Sequence, residues 1–289
     1  MLTINQYCRQ QFGEKLYKLS LNGGFSCPNR DGTLGTGGCI FCSAGGSGDF
    51  AQDARLPIDQ QIEKAKQLVA AKFHGQRYIA YFQAYTNTYA PVERLRRLYM
   101  PVVERDDIAV LSLATRPDCL GADVLELLSQ LNAIKPLWVE LGLQTTKAES
   151  AAYIRRGYEL GVYDRAVNAL NAAGIHVISH VILGLPGESR EDMLQTVRHV
   201  VDVKSGGIKL QLLHVLEGTR MAEDFRQGKF RCMELEEYIS VLKDCVALLP
   251  EDIVVHRLTG DGAKRDLIAP LWSADKKRVI NRINKELNI

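Results

Sequence analysis

The most informative pattern in the sequence is the stretch Cys27-Pro28-Asn29-Arg30-Asp31-Gly32-Thr33-Leu34-Gly35-Thr36-Gly37-Gly38-Cys39-Ile40-Phe41-Cys42. Eleven residues separate the first two cysteines and two separate the last two. Thiolates are soft ligands that suit zinc or iron–sulfur clusters, and a loop rich in Gly, Pro, Asn and Asp can bring a third sulfur to a C-x2-C pair. Three cysteines are one fewer than an ordinary closed cluster or structural zinc site uses. The pattern therefore predicts a metal centre with one open position for a small molecule.

With an aromatic residue, Phe41, just before the last cysteine, the loop resembles the cluster loop of the radical S-adenosylmethionine (SAM) superfamily. It is most similar to that of YhcC/YtqA-type proteins in the elongator-like subgroup, and its long first spacing departs from the commonest C-x3-C-x2-C form. The resemblance extends over roughly residues 10 to 289. It implies that Cys27, Cys39 and Cys42 hold a [4Fe–4S] cluster, that the open iron chelates the amino and carboxylate groups of SAM, and that Phe41 packs near the adenine.

Composition fits a globular protein with a large core. The chain has 289 residues, of which 46% are hydrophobic and 24% charged, and a net charge of +2 that gives no evidence for nucleic-acid binding. The absence of a signal peptide and of a long apolar run predicts a cytoplasmic protein without a membrane partner. Basic residues are concentrated in two places, which are either solvated helix faces or a nucleic-acid footprint: Arg94, Arg96 and Arg97, and Lys276, Lys277, Arg278, Arg282 and Lys285.

Short apolar runs alternate with amphipathic stretches, which predicts βαβ units and a parallel sheet. The predicted strands are Lys15–Leu21, Tyr78–Gln83, Ile108–Ala114, Leu137–Leu143, His176–Leu183 and Ile208–Val215, and the helices between them are Ile58–Phe73, Val92–Glu104, Gly121–Leu131, Ala148–Arg156, Tyr163–Ala173 and Arg190–Val203. Six units are two short of a full barrel. The resembled superfamily has a partial (β/α)6 TIM-like barrel, so count and resemblance agree on this α/β fold.

The predicted domain organisation has three parts. Residues 1–17 form an N-terminal segment, residues 18–218 the barrel core, and residues 219–289 a C-terminal α/β extension. The extension has a helix at Leu235–Leu249, a strand at Ile253–Leu258 and a final helix rich in Lys and Arg. We expect it to pack on the barrel, because about 70 residues make a marginal independent core.

Polar residues follow two predicted strands, at the end of a parallel barrel where chemistry occurs. Gln83, Tyr85 and Asn87 occupy the position of the family segment whose backbone contacts the amino group of SAM. The usual Gly-Gly-Glu is missing there, and an ordinary hydrogen-bonded loop is the alternative. Arg116 ends the third strand, and a guanidinium can grip a carboxylate with two hydrogen bonds. The resemblance assigns Arg116 to the SAM carboxylate, whereas a structural salt bridge is the other interpretation.

The fourth strand carries polar residues among apolar ones. Alternation places Glu140, Gly142 and Gln144 on one face, which we expect to be the barrel interior. The segment resembles the ELGLQS motif of the elongator-like group, which implies that Gln144 contacts the SAM ribose or the substrate. A Glu in so apolar a strand needs a partner if buried, so Glu140 is either a substrate contact or a member of a core ion pair.

The last two strands of the barrel offer further candidates. The turn Gly184-Leu185-Pro186-Gly187-Glu188 matches the superfamily segment that lines the adenine pocket, which implicates Gly184 and Glu188 in SAM binding; an ordinary strand-to-helix connection is the alternative. His180, Gln211 and His214 are candidate substrate contacts, although a lone histidine in an apolar strand is more often a core residue. Alternation puts Gln211 and His214 on opposite faces, so we do not expect them to act together.

The remaining cysteines, Cys8, Cys119, Cys232 and Cys245, are scattered, and we predict small buried hydrophobic side chains. A second cysteine triplet for an auxiliary cluster is missing from the sequence, which disfavours methylthiotransferase-like sulfur insertion.

By resemblance, the reduced cluster cleaves SAM to methionine and a 5′-deoxyadenosyl radical, which abstracts hydrogen from an unreactive carbon. Elongator-like relatives act at carbon 5 of the wobble uridine of tRNA, so we expect an enzyme that modifies the 5-substituent of this base, with an external electron donor such as flavodoxin or ferredoxin. Radical chemistry on a small molecule or peptide is the alternative. A zinc-stabilised binding module closed by a histidine is a third possibility, disfavoured because structural zinc stabilises small folds.

Overall fold

The structure has the parallel sheet that the alternating pattern predicts. A computed structural model describes residues 1–73, 75–260 and 262–288. The strands are β1 (Leu2–Thr3), β2 (Tyr17–Leu21), β3 (Tyr78–Phe82), β4 (Ile108–Thr115), β5 (Leu137–Gln144), β6 (His176–Leu183), β7 (Gly207–Leu212), β8 (Val215–Leu216), β9 (Val254–Arg257) and β10 (Leu267–Ala269). Eight of them form a curled half-barrel in the order β1-β9-β7-β6-β5-β4-β3-β2, with every neighbouring pair parallel. The other two, β8 and β10, form an antiparallel ribbon.

Helices accompany the sheet, and most of them cover its outer face, whereas the first one packs at the end of the barrel where the strands begin. They are α1 (Ile4–Phe12), α2 (Ile58–Val69), α3 (Val92–Val103), α4 (Ala122–Ile134), α5 (Ala148–Tyr153), α6 (Leu160–Ala172), α7 (Arg190–Asp202), α8 (Arg220–Arg226), α9 (Leu235–Ala247) and α10 (Lys276–Leu287). Local sequence sets some of their ends. Ser189 caps α7 through a reciprocal capping box with Asp192, which satisfies two backbone donors that the helix itself leaves unpaired. Within the described residues, every helix is too short or too polar to cross a bilayer.

Two apolar layers hold the half-barrel together. The outer layer packs strand residues such as Leu111, Val139 and Leu141 against the surrounding helices, and each fully buried side chain of this kind contributes roughly 1.5–3 kcal/mol. The inner layer closes the end of the barrel where the strands begin. There α1 packs its Cys8 and Tyr7 against interior residues that include Trp138. Among the described residues, this packing covers the interior of the barrel at the end where the strands begin.

The C-terminal segment continues the sheet. Strand β9 pairs in parallel with β7, and β1 pairs with β9. The strand predicted at Ile253–Leu258 is therefore part of the half-barrel sheet, while the boundary predicted at residue 218 stays a prediction.

Two predicted elements differ from the structure in ways that affect the site. The helix predicted over Ala148–Arg156 ends at Tyr153, and residues 154–158 form a turn. The strand predicted to reach Val215 ends at Leu212, so alternation does not extend to His214. The predicted N-terminal segment contains a strand and a helix, β1 and α1.

Candidate functional site

A cavity of about 250 Å³ lies at the carboxyl ends of the barrel strands. The sequence-based candidates that line it are Cys27, Cys39, Phe41, Cys42, Gln83, Tyr85, Arg116, Glu140, Gln144, His180, Gln211 and His214. Asn87, Gly184 and Glu188 are not part of this lining. Most of the candidates thus meet in one place, because parallel strands finish at the same edge of a sheet.

The loop that carries the three cysteines is folded by its own polar side chains. Arg30 donates from Nη2 to the carbonyl oxygens of Cys42 and Ser43, at 3.1 and 2.6 Å, and so joins the two ends of the loop. Gly38 has a φ of 74°, and a Cβ there would lie 2.9 Å from Nε of Arg30. The loop therefore needs glycine at position 38 both for its backbone conformation and for the close approach of Arg30.

Cys27, Cys39 and Cys42 face the same cavity. Burial raises the pKa of Cys39 to about 11, and the nearby Cys42 and Cys27 add to the rise. Asn29 opposes it, because its Nδ2 donates to Sγ of Cys39 at 3.3 Å. Within residues 1–73, 75–260 and 262–288, no group of three or more His, Cys, Asp or Glu side chains is arranged to hold a metal ion. The three thiols share one cavity, although they do not adopt the geometry of metal ligands. As three soft donors they fit the site of a cluster that leaves one iron open.

The end of β3 supports the chain that follows Cys42. Gln83 donates from Nε2 to the carbonyl oxygen of Ser47 at 2.7 Å, and the hydroxyl of Tyr85 donates to the carbonyl oxygen of Ala44 at 2.7 Å. Both side chains also line the cavity. Asn87 is fully buried and donates to three carbonyl oxygens, those of Phe82, Ala84 and Ala114. Its amide ties β3 to β4 and does not face the cavity.

Arg116 lies at the cavity wall in an ion pair. Its Nε and Nη2 donate to the carboxylate of Asp118 at 2.9 and 2.6 Å, and its Nη1 donates to the carbonyl oxygen of Arg156 at 3.0 Å. Burial opposes the charge, but Asp118 raises the pKa of Arg116 above its ordinary value. The salt bridge that the sequence left as an alternative is present. These hydrogen bonds use three of the five guanidinium N–H groups, so the salt bridge is compatible with a further bond from Arg116 to a ligand.

A buried charge network forms the deep end of the cavity. Glu140 accepts from Lys18 at 2.8 Å, from Nε2 of His180 at 2.8 Å and from Lys209. Burial opposes ionisation, yet the two ammonium groups hold the pKa of Glu140 well below its usual range. Burial lowers the pKa of His180 to about 4, so this imidazole is neutral, and Gln211 donates to its Nδ1 at 3.4 Å. Glu140 is thus a member of a core ion network, and Lys209 is a member that the sequence analysis missed.

Of the remaining candidates from the last two barrel strands, some line the cavity and others do not. His214 lines the cavity together with Gln211, because the strand ends between them and they are not held on opposite faces. The amide of Gly184 contacts Sδ of Met193 at 3.2 Å, and Glu188 accepts from Oγ1 of Thr145 at 2.5 Å. Gly184 and Glu188 shape the turn after β6 from outside the cavity lining.

The other cysteines do not form a second group within the described part of the chain. Cys8 and Cys245 are buried, as predicted, whereas Cys119 and Cys232 are only half-buried. Burial raises the pKa of Cys119 to about 12 and that of Cys232 to about 11, which keeps both as thiols at neutral pH.

Sequence comparison gives the chain clear relatives. The model of the radical SAM superfamily matches residues 30–200, and that of the radical SAM C-terminal domain matches residues 206–288. An uncharacterized protein of Bacillus subtilis, YtqA, is 46% identical over 285 residues, which cover 99% of this chain and 88% of that protein. Protein YhcC of Escherichia coli is 39% identical over 280 residues, covering 96% and 89%. A tRNA uridine(34) acetyltransferase of Methanocaldococcus jannaschii is 27% identical over 154 residues, covering 52% of this chain and 28% of that protein.

Solved structures share the fold at low sequence identity. The archaeal Elp3 of Methanocaldococcus infernus has a TM-score of 0.69 at 16% identity and covers 94% of this chain and 63% of its own. The radical SAM enzyme coproporphyrinogen III oxidase of Escherichia coli has a TM-score of 0.54 at 17% identity, covering 81% and 52%.

Proposed function

The chain belongs to the radical SAM superfamily of enzymes, and on that premise we propose that Cys27, Cys39 and Cys42 hold a [4Fe–4S] cluster whose open iron binds SAM. The observation that carries this proposal is the meeting of the three thiols in one cavity at the carboxyl ends of the strands. An enzyme of this family with a large core needs no zinc to fold, so the binding module is set aside. When bound, the cluster supplies the electron that cleaves SAM to methionine and a 5′-deoxyadenosyl radical.

The chain's own residues position the cofactor and keep water away. Arg116, Gln144, Gln83 and Tyr85 line the wall between the cysteine loop and the strand ends, and we assign SAM binding to this wall. Phe41 lies beside the last cysteine in the same lining and offers an apolar face to the adenine. Exclusion of water from an active site prevents reactive species from being quenched. The apolar residues packed where the strands begin shield the cavity from that side.

For the substrate, we infer a tRNA whose wobble uridine carries the reacting 5-substituent. The relative named as a tRNA uridine(34) acetyltransferase and the shared fold with Elp3 support this choice. Basic residues at the start of α10 support it further, since Lys276, Lys277 and Arg278 are exposed and can contact phosphates. An external donor such as flavodoxin or ferredoxin would reduce the cluster. The cytoplasm, where tRNA is found, remains the expected location.

The cluster assignment is tested by anaerobic reconstitution. We expect the wild-type chain to take up iron and sulfide with broad absorbance near 400 nm, and Cys39→Ala to lose most of this iron. Cys232→Ala is the matched control, because Cys232 is a half-buried cysteine that does not line the cavity, and its iron content should equal that of wild type. Equal iron in Cys39→Ala and Cys232→Ala would remove Cys39 from the ligand set.

The tRNA assignment is tested separately by comparing the nucleosides of total tRNA from cells with and without the gene. Loss or accumulation of one 5-substituted uridine is the expected result. Identical profiles, together with SAM cleavage by the reconstituted protein, would refute the tRNA substrate and favour a small molecule or a peptide.

A further inference from the structure

The turn between α5 and α6, residues 154–158, contacts three parts of the site at once. Its backbone is unusual, because Arg155 has a φ of 55° and Gly157 a φ of 82°. The carbonyl oxygen of Arg155 accepts from Nδ2 of Asn29 at 2.8 Å, and that of Ile154 accepts from the amide of Ile40 at 3.2 Å. The turn is thereby bonded to the cysteine loop.

Arg156 points from this turn into the end of β5. Its side chain is buried, and Nη1 donates to the carbonyl oxygens of Leu143 and Thr145 at 2.9 and 2.6 Å. These carbonyls flank Gln144, which has a φ of 62° and lies where the register between β5 and β6 shifts. A left-handed conformation is unfavourable for a residue other than glycine, and a bulge of this kind re-aims a side chain. Arg156 holds the strained bulge from both sides.

Tyr158 completes the contact. Its hydroxyl donates to the carbonyl oxygen of Gly142 and lies 3.4 Å from Oε1 of Gln144. Its ring stacks against two guanidinium groups, with the carbon of Arg116 at 4.9 Å and that of Arg156 at 4.8 Å from the ring centroid. Tyr158 therefore contacts both Gln144 and Arg116, two residues of the proposed SAM wall, and lines the same cavity itself.

We propose that Arg156 and Tyr158 are positioning residues that hold Gln144 and Arg116 in place for SAM. The hydrogen bonds of Arg156 go to the carbonyl oxygens on either side of Gln144, and the ring of Tyr158 stacks against the guanidinium of Arg116. Strain at a cavity-lining residue persists only where surrounding contacts enforce it, and here two side chains from a different segment do so. The inference rests on the proposed function, since it takes SAM as the ligand of this wall.

The test is the affinity for SAM of the reconstituted protein, measured by calorimetry. Tyr158→Phe keeps the ring against the two guanidinium groups but removes the hydroxyl, and we expect SAM to bind about tenfold more weakly, the effect of losing one partly buried hydrogen bond. Tyr163→Phe is the matched control. Tyr163 is more deeply buried than the half-buried Tyr158, and its hydroxyl bonds to Ser179 away from the cavity lining, so its loss should leave SAM affinity unchanged.

A second measurement separates positioning from direct contact. If Tyr158 acts through Gln144, the Tyr158→Phe change should have little further effect in a Gln144→Ala background. Hydrogen exchange on the metal-free chain requires neither cluster nor SAM, and it should show faster exchange over residues 142–146 in Tyr158→Phe than in Tyr163→Phe.

The outcomes are distinct. Wild-type protein that takes up the cluster but does not bind SAM would refute the proposed function, and the exchange measurement would still judge the positioning role. Wild-type protein that binds SAM while Tyr158→Phe binds it equally well would overturn the inference and leave the proposed function intact. Full additivity of the two substitutions would also overturn it, because Tyr158 would then act independently of Gln144.

Discussion

Gly157 offers a direct test of how tightly the turn 154–158 is packed against the cysteine loop. A Cβ at this position would lie 2.7 Å from Oδ1 of Asn29 and 3.4 Å from Nη2 of Arg116. Asn29 is buried, and its Nδ2 bonds to the carbonyl oxygen of Arg155 and to Sγ of Cys39, so it cannot move aside without losing those contacts. Gly157→Ala should therefore affect both the stability of the chain and the order of the cysteine loop.

The magnitude has two parts. Alanine at a φ of 82° costs about 1–2 kcal/mol, and the displaced hydrogen bonds of Asn29 add about 1–2 kcal/mol. Gly174→Ala is the matched control, because Gly174 has a φ of 66° and a Cβ there would have no neighbour within 4 Å. It should cost only the backbone part, about 1–2 kcal/mol. In thermal unfolding, Gly157→Ala should thus lower the midpoint by about twice as much as Gly174→Ala.

The assay combines this unfolding midpoint with iron content after anaerobic reconstitution. Of these two variants, only Gly157→Ala should reduce the iron bound per chain, because Gly157 packs against Asn29 of the cysteine loop and Gly174 does not. If the two variants have equal midpoints and equal iron, Asn29 is not confined as its bonds indicate, and the coupling of the turn to the loop would be refuted.

Three further predictions address charge. Glu140→Gln leaves two ammonium groups facing a neutral amide, so the free energy of unfolding in urea should fall by about 3 kcal/mol, and adding Lys209→Met should restore part of it; no recovery would contradict the ion-pair account. Burial lowers the pKa of His176 from 6.5 to about 4, so the unfolded chain binds a proton in this window that the folded chain does not. The contribution of His176 to the unfolding free energy should be fully present above pH 6.5 and decline towards pH 4. Because His180 and His256 also have lowered pKa values, His176→Asn should make the decline less steep without removing it, and an unchanged slope would exclude His176 as one of its causes. If α10 contacts tRNA phosphates, replacing both Lys277 and Arg278 by Gln should reduce the slope of log affinity against log salt by about 2, and an identical slope would place the contact elsewhere.

The sequence predicts the six barrel strands well because strands buried on both faces appear as continuous apolar runs. It does not reveal β1 or β8, since two residues are too few to show a period. Helix α1 has a detectable signal, the capping box formed by Thr3 and Gln6, but its short amphipathic pattern is weak. The pairing of β9 with β7 cannot be inferred from periodicity, because it depends on contacts between distant segments.

The residues of the site likewise divide into those that the sequence predicts and those that it does not. Candidates at strand ends could be found because parallel strands share one edge, and Gln83, Arg116 and Gln144 all reach the cavity. Residues that act by bonding to distant main-chain carbonyls have no local signature, and Arg30 and Arg156 are of this kind. Their hydrogen-bond partners are determined by the tertiary structure and cannot be identified from local sequence patterns.

Glu140 and Gln144 show why a shared strand face does not imply a shared role. Alternation places both in the cavity lining, where the structure has them. Glu140 lies deep in the barrel, where its carboxylate is fully buried and bonded to Lys18 and Lys209, so moving it towards a ligand would leave two ammonium groups unpaired. Gln144 lies at the strand end, where a bulge turns the backbone and a turn from elsewhere in the chain supports it. Depth along the strand, which decides what each side chain can bond, therefore separates the residue that stabilises the barrel from the one available to a ligand.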